Sequence, residues 1–231
     1  MPTLVIRLAG PVQSWAGYVA SYRKTTTYPV PSKSGIAGLL GACLGETDYT
    51  SLIRLFDLWI RADRTNAFET DLQVASFTKP NEVEGIRRSA AVAGFGVLKG
   101  TALNPTGSSP RKADRDFLSH SEFICGLEVD DSHADEWAKA IQKPMFVTYL
   151  GRRGNAPTFP FFLGVSQLGA VEILGAIPRA RRHDETPGPR TVRIHEVLGD
   201  YNTHDTRVQT VSPPVTTRKE QLTWSKQNLA R

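Results

Sequence analysis

Two helical patterns set between short apolar runs, and one long stretch with no apolar period, predict an α+β fold for this chain. The first run, TLVIRLAG (3 to 10), is apolar almost throughout and is closed by Gly-Pro, as a strand end would be. PVQSWAGYVASYRKTTTYPVP follows as a loop rich in aromatic and hydroxyl residues. The first helix then starts after Ser32, an N-cap type, and stops at Gly45, where a C′ glycine ends the last turn. Its spacing places Ile36, Leu39, Leu40, Cys43 and Leu44 on one arc. The opposite arc is Gly35, Ala37, Gly38, Gly41 and Ala42, where a surface helix would carry Lys and Glu. Each interior glycine costs roughly 1 kcal/mol against alanine, so a neighbouring backbone is expected to approach this bare face closely.

SLIRLFDLWIRAD (51 to 63) reads as a short helical turn running into a second strand, and LQVASFT (72 to 78) as a further strand. From Lys79 to about Ser119 the pattern dissolves into Gly, Pro, Ser and Asn with scattered base. A stretch of that length inside a domain is functional or disordered, and its flanks RRSAAVAGFGVL and RDFLS are expected to pair as a long hairpin arm. EFICGLEVD (122 to 130) is a strand. SHADEWAKAIQK (132 to 143) is a helix with Ser132 as N-cap and Pro144 beyond its end, and MFVTYLG (145 to 151) is a strand closed by Gly151. Strand, helix, strand, arm, strand, helix, strand is the order of a ferredoxin-like βαββαβ unit. FFLGVSQLGAVEIL and TVRIHEVL add short strands, and GAIPRARRHDETPGPR between them reads as a mobile loop.

The 231 residues fit one large domain or one domain with an appended segment, and 40% hydrophobic content supplies an ample core. Cys43 and Cys125 lie in apolar surroundings far apart, so reduced buried thiols in a cytoplasmic protein are expected. MPTLVIRLAG has neither a basic n-region nor a long apolar run, and no stretch approaches the ~20 apolar residues of a membrane-crossing helix; no signal peptide and no membrane partner are expected. The net charge of +5 is modest, but it is segregated. Acid gathers in EVDDSHADE, and base gathers in GIRR, RKADR, GRRG and RARR, which suits a phosphate-bearing partner.

Enzyme signatures are missing from the sequence. No two of the five histidines stand at i, i+4, and there is no Cys-x-x-Cys pair, phosphate-binding P-loop or nucleophile elbow. Neither metal nor cofactor is expected. Three features point to binding instead. Lys33 stands at the N-terminal end of the glycine-faced helix, where a cation opposes the macrodipole unless an anion shares the site. Arg152 and Arg153 sit between two glycines at a strand end, which permits close approach to phosphate. QSWAGYVASYR interleaves Trp15, Tyr18 and Tyr22 with Gln13 and Arg23, as single-stranded RNA surfaces do, although the same aromatics serve equally as packing under a loop.

RLAGPVQSW (7 to 15), SGIAGLLGACLG (34 to 45) and TYLGRRGNAPTFPFFLG (148 to 164) resemble, in the same order, the Cas-five-type subunits of the type I-E CRISPR surveillance complex. RDFLSHSEFICGLEV is similar more loosely. The likeness covers roughly residues 1–165 and fades over 166–231, read as a C-terminal extension packed on the core. It implies an RRM-related, ferredoxin-like core with a protruding β-hairpin thumb at about 79–119. It also implies a non-catalytic role capping the 5′ handle of the CRISPR RNA. The implied neighbours are a Cas-seven-type backbone subunit and a Cas-eight-type large subunit, with target DNA met through the assembled complex. By position, Gln13, Ser14, Trp15, Lys33 and Ser34 would border the RNA. Arg152 and Arg153 would contact the handle, and Arg115 would join them at the thumb's return. The alternatives are a metal-independent endoribonuclease acting on repeat RNA, as in type I-C relatives, and a ferredoxin-like protein whose partner is protein alone.

Overall fold

In a computed structural model, residues 1–15, 24–66, 68–75, 111–183, 185, 188–199 and 204–230 are described. In chain order the elements are β1 (Thr3–Ala9), β2 (Val12–Gln13), β3 (Lys24–Thr25), α1 (Lys33–Leu44) and a 3-10 turn (Ser51–Leu55). Next come β4 (Phe56–Arg64), β5 (Phe68–Ala75), β6 (Arg111–Ser119), β7 (Glu122–Val129) and α2 (Asp131–Gln142). The last are β8 (Phe162–Ser166), α3 (Ala170–Ala176), β9 (Arg179–Ala180), β10 (Val192–Val197), β11 (Thr206–Val211), β12 (Val215–Thr216) and α4 (Arg218–Asn228). Two compact units emerge. The first is Met1–Tyr18, Thr26–Glu69 and Phe117–Arg231; the second is Val19–Thr25 with Thr70–Asp116.

The first unit is a mixed α/β structure on a six-stranded sheet of order β11-β10-β4-β7-β1-β8, antiparallel at every step. Every residue of β1 is buried, because helices cover both faces of the sheet. Leu4, Ile6 and Leu8 join Leu58, Ile60, Phe123 and Leu127 under α1 and α2. Val5 points the other way, into a second core with Ile124, Leu163 and Ile194 under α3 and α4. A strand covered on both sides needs apolar residues at consecutive positions, which is why TLVIRLA lacks alternation.

The first helix has the expected ends: the Ser32 hydroxyl accepts the Gly35 N–H at 3.2 Å, and Gly45 closes it at φ 82°. The helix after β7 is capped two residues earlier than expected. Asp130, not Ser132, is its N-cap, and its carboxylate accepts both the Ser132 N–H (2.9 Å) and the Ser132 hydroxyl (2.8 Å).

MFVTYLG is not a strand. The N–H groups of Met145 and Phe146 donate to the carbonyls of Cys43 (3.0 Å) and Ala42 (2.9 Å), satisfying the open end of α1 instead of a sheet edge. The strand beside β1 is Phe162–Ser166, reached through Gly151, Gly154, Pro157 and Pro160. The second half of FFLGVSQLGAVEIL is helix α3, not strand. The segment expected as a mobile loop contributes Arg179–Ala180 as a strand parallel to β12, with Arg179 buried. Residues 184, 186 and 187 within it lie outside the described residues.

In the second unit β3 runs parallel to β6, pairing Lys24 with Asp114 and Thr25 with Arg115. β5 pairs with β6, and the Thr70 hydroxyl donates to Asp116 at 2.7 Å. RDFLS therefore lies in a strand whose partner is Phe68–Ala75. RRSAAVAGFGVL, most of the expected thumb, and Tyr18, Tyr22 and Arg23 lie outside the described residues.

Candidate nucleic-acid interface

The three motifs singled out in the sequence meet at one corner of the first unit. After β1 the chain turns at Gly10, where a side-chain Cβ would stand 2.8 Å from the Ala156 carbonyl. β2 then carries Gln13 inwards. Its amide donates to the carbonyls of Ser121 (2.7 Å) and Leu8 (3.3 Å) and accepts the Trp15 indole N–H (3.1 Å). The Trp15 backbone donates to the Thr27 hydroxyl at 2.7 Å and accepts the Tyr28 N–H at 3.1 Å. Its ring fills the space over Gly35, where a Cβ would come within 2.8 Å. The Ser14 N–H donates to the Leu150 carbonyl at 3.1 Å, and Gly151, at φ 87°, lies so close that a Cβ would be 1.7 Å from the Ser14 oxygen.

This contact is the base of a tight turn. The Leu150 N–H donates to the Asn155 carbonyl (2.7 Å) and the Asn155 N–H returns to Arg152 (3.0 Å). The loop so closed presents Arg152 half-buried and Arg153 exposed. Gln13, Ser14 and Trp15 are fully interior. Their side chains are turned into the protein rather than exposed as expected from the sequence, and they brace the turn that carries the arginines. A sequence of Gln, Ser and Trp after Gly-Pro reads as a polar-aromatic surface, and only the internal hydrogen bonds distinguish it from one.

Lys33 is also committed elsewhere. Its side chain is 12% exposed, with Nζ 5.4 Å from the centre of the Phe56 ring and 3.7 Å from the Asp57 carboxylate. The cation–π contact and ion pair account for a lysine at a helix N-terminus without an anion there. Ser34 shares a 3.3 Å hydroxyl contact with Ser32 at the cap. Arg115 belongs to the second unit. The glycine face of α1 is covered mainly by aromatic side chains, Trp15 at Gly35 and Tyr49 at Gly38 and Gly41, with one backbone group, the Glu46 carbonyl, also close at Gly41.

Beside the corner, β1, β4 and α4 send Arg7, Arg64 and Arg218 to a single buried carboxylate, Glu122, with Arg7 Nε at 3.0 Å and Arg64 at 3.8 Å. Burial by itself would push the Glu122 carboxyl up; Arg218 and Arg7 outweigh it and hold it below the usual carboxylate range. Burial is likewise the main reason the Arg7 guanidinium falls below its usual value, against the pull of Glu122. Both cysteines are free and buried, and burial pushes the Cys43 thiol up to about 12.

The family model described as CRISPR-associated protein (Cas_Cas5) matches residues 3–226, from the start of β1 into α4. The chain belongs to the Cas5 family. The match extends through the region where the sequence resemblance fades. The "CRISPR system Cascade subunit CasD" of Escherichia coli (strain K12) is 32% identical to this Cas5-family chain over 173 residues, 71% of each protein. Among solved structures, a chain of a "CRISPR RNA-guided surveillance complex" is similar over 98% of this chain and all of that one, with a TM-score of 0.70 at 21% identity. A structure titled "Crystal structure of Cas protein" is similar over 95% and 96% of the two chains, with a TM-score of 0.57 at 26% identity.

Proposed function

We propose that this Cas5-family chain is a non-catalytic, RNA-binding subunit of a Cascade-type surveillance complex that holds the 5′ handle of the CRISPR RNA. The 32% identical relative is named as a Cascade subunit. The observation that carries the handle assignment is the Gly151 turn. Seated on the Ser14 carbonyl and closed by Asn155, it carries Arg153 exposed and Arg152 half-buried at a loop where phosphates or base edges would meet them. A ferredoxin-like core fits the strand order β4-β7-β1-β8, with α1 between β1 and β4 and α2 between β7 and β8. In this reading the chain works in the cytoplasm beside a Cas-seven-type backbone subunit and a Cas-eight-type large subunit. It meets target DNA through the guide, whose pairing reads the sequence.

The test is RNA capture by complexes assembled with wild type and with the double variant Arg152→Ala/Arg153→Ala. Loss of either charge-assisted contact is expected to weaken handle binding on the order of tenfold. Unchanged RNA content in the double variant would overturn the site. A defined product from repeat RNA incubated with the isolated chain in EDTA would overturn the non-catalytic role in favour of a ribonuclease.

A further inference from the structure

A cleft of about 860 Å³ opens in the first unit beside the ends of β4 and β10. Five arginines line it, Arg64, Arg179, Arg182, Arg190 and Arg193, against two carboxylates, Asp63 and Glu185. Both carboxylates are already engaged. Asp63 is held in a fork by Arg61, at 2.6 and 2.9 Å. Glu185 takes Arg179 Nη2 and Arg190 Nε, each at 2.9 Å. The described lining therefore keeps an excess of positive charge.

Arg179 is 6% exposed, and its guanidinium is only partly satisfied. Nε donates to the Asp63 carbonyl at 3.1 Å and Nη2 to Glu185, but Nη1 is buried with no hydrogen-bond partner among the described residues. A buried guanidinium donor left open is costly, and an oxyanion in the cleft would complete it. His195 lines the same wall with Nδ1 buried and unpartnered among the described residues. At the lip stands Phe68, 53% exposed. Arg182, Arg190 and Arg193 are exposed along the rim. A free small ligand needs a pocket that encloses most of its surface. An open, basic trough with an aromatic at its edge suits instead a chain that passes through, phosphate on guanidinium and base on ring.

We propose that this cleft holds a nucleotide unit of single-stranded RNA, its phosphate against Arg179, Arg190 and Arg193 and its base against Phe68. The inference rests on the RNA-binding reading above and adds to it a contact site separate from the Arg152–Arg153 turn.

The test uses the full chain and a labelled 12-nucleotide single-stranded RNA, with affinity measured across a salt series. Thermal melts accompany each variant so that folding is checked independently. Arg190→Ala/Arg193→Ala is expected to weaken binding at least about tenfold and to flatten the log–log salt slope by about 1.4, two phosphate contacts at roughly 0.7 each. Phe68→Ala is expected to weaken binding about fivefold or more with the slope unchanged, because stacking releases no counterion. Inorganic pyrophosphate and a poly-glutamate peptide serve as competing probes. If Arg152→Ala/Arg153→Ala weakens RNA binding while both cleft variants bind as wild type, the cleft assignment is wrong and the proposed function stands. If wild type binds no RNA but the cleft takes pyrophosphate or the acidic peptide, both readings fall.

Discussion

The braced corner and the arginine cleft belong to the same compact unit and are built in opposite ways. At the corner Gln13 and Trp15 are sealed inside, their polar atoms bonded to the carbonyls and hydroxyls around them, and glycines stand wherever another backbone or ring presses close. At the cleft exposed arginines rim a buried one, Arg179, and the arginines are drawn from β4, β9, β10 and the connection before β10. The corner derives its form from close packing, where one added methyl group is felt. The cleft derives its character from charge that its own carboxylates do not balance. A conspicuous motif can therefore be scaffold, while an arginine-rich surface is assembled from the RARR cluster and from arginines scattered elsewhere in the sequence.

Gly151 is where this contrast is easiest to break. Gly151→Ala would drive a methyl into the Ser14 carbonyl, backbone against backbone, at a φ that L residues rarely adopt. Strain and overpacking together are expected to cost about 2–6 kcal/mol, a fall in Tm of about 5–20 °C for a chain of this size. Gly154 is the control in the same turn. Its φ of 102° is equally unusual, but nothing lies within 4 Å of its Cβ position, so Gly154→Ala is expected to cost only about 1–2 kcal/mol. Equal melting temperatures for the two variants would show that the corner is not close-packed as described.

Glu122 sharpens the comparison, because its three arginines grade from interior to surface. The side chain of Arg7 is 9% exposed, and those of Arg64 and Arg218 are 27% and 32% exposed. Arg64 also lines the cleft. Glu122→Gln removes the one carboxylate they share and leaves Arg7 buried without a counter-charge, expected to cost about 3–5 kcal/mol by chemical denaturation. The pH dependence has a definite sign. A carboxyl held below its usual range in the folded chain binds fewer protons there than in the unfolded chain. Its contribution is therefore complete above the ordinary carboxylate range, about pH 4–5, and is lost as pH falls through the lowered folded value. The stability gap between wild type and Glu122→Gln is expected to be widest near neutrality and to close in acid. A gap that did not narrow would assign the loss to shape rather than charge.

Sequence reading reached local structure further than it reached surfaces. The β1 run, the ends of α1 and the turn into β4 were legible because apolar period and capping chemistry act over a few residues. MFVTYLG was misleading because its β-forming composition carries no sign that the N–H groups of Met145 and Phe146 close the end of α1. Lys33 looked like an anion ligand because neither Phe56 nor Asp57 is near it in sequence. RARR and Arg190 looked like mobile loop because the partners that order Arg179, the Asp63 carbonyl and Glu185, are visible only once the strands are placed. In each case the missing information was a long-range partner.

The smallest expected effect concerns the glycine face of α1, where corner-like packing should fade within one turn. At Gly38 a Cβ would rest 3.7 Å from the Tyr49 ring, an ordinary contact, whereas at Gly41 it would meet Tyr49 Cβ at 2.8 Å and the Glu46 carbonyl at 3.4 Å. Alanine gains roughly 0.5–1 kcal/mol over glycine inside a helix at both positions. At Gly38 nothing opposes that gain, so Gly38→Ala is expected to raise Tm by about 1–4 °C. At Gly41 the contact with the Tyr49 stem, which cannot swing away as a side-chain tip could, outweighs it, so Gly41→Ala is expected to lower Tm. Opposite signs from the same substitution three residues apart would locate the packing in Tyr49. A rise at both positions would mean that Tyr49 yields and that the glycines of α1 leave room no residue of this unit requires.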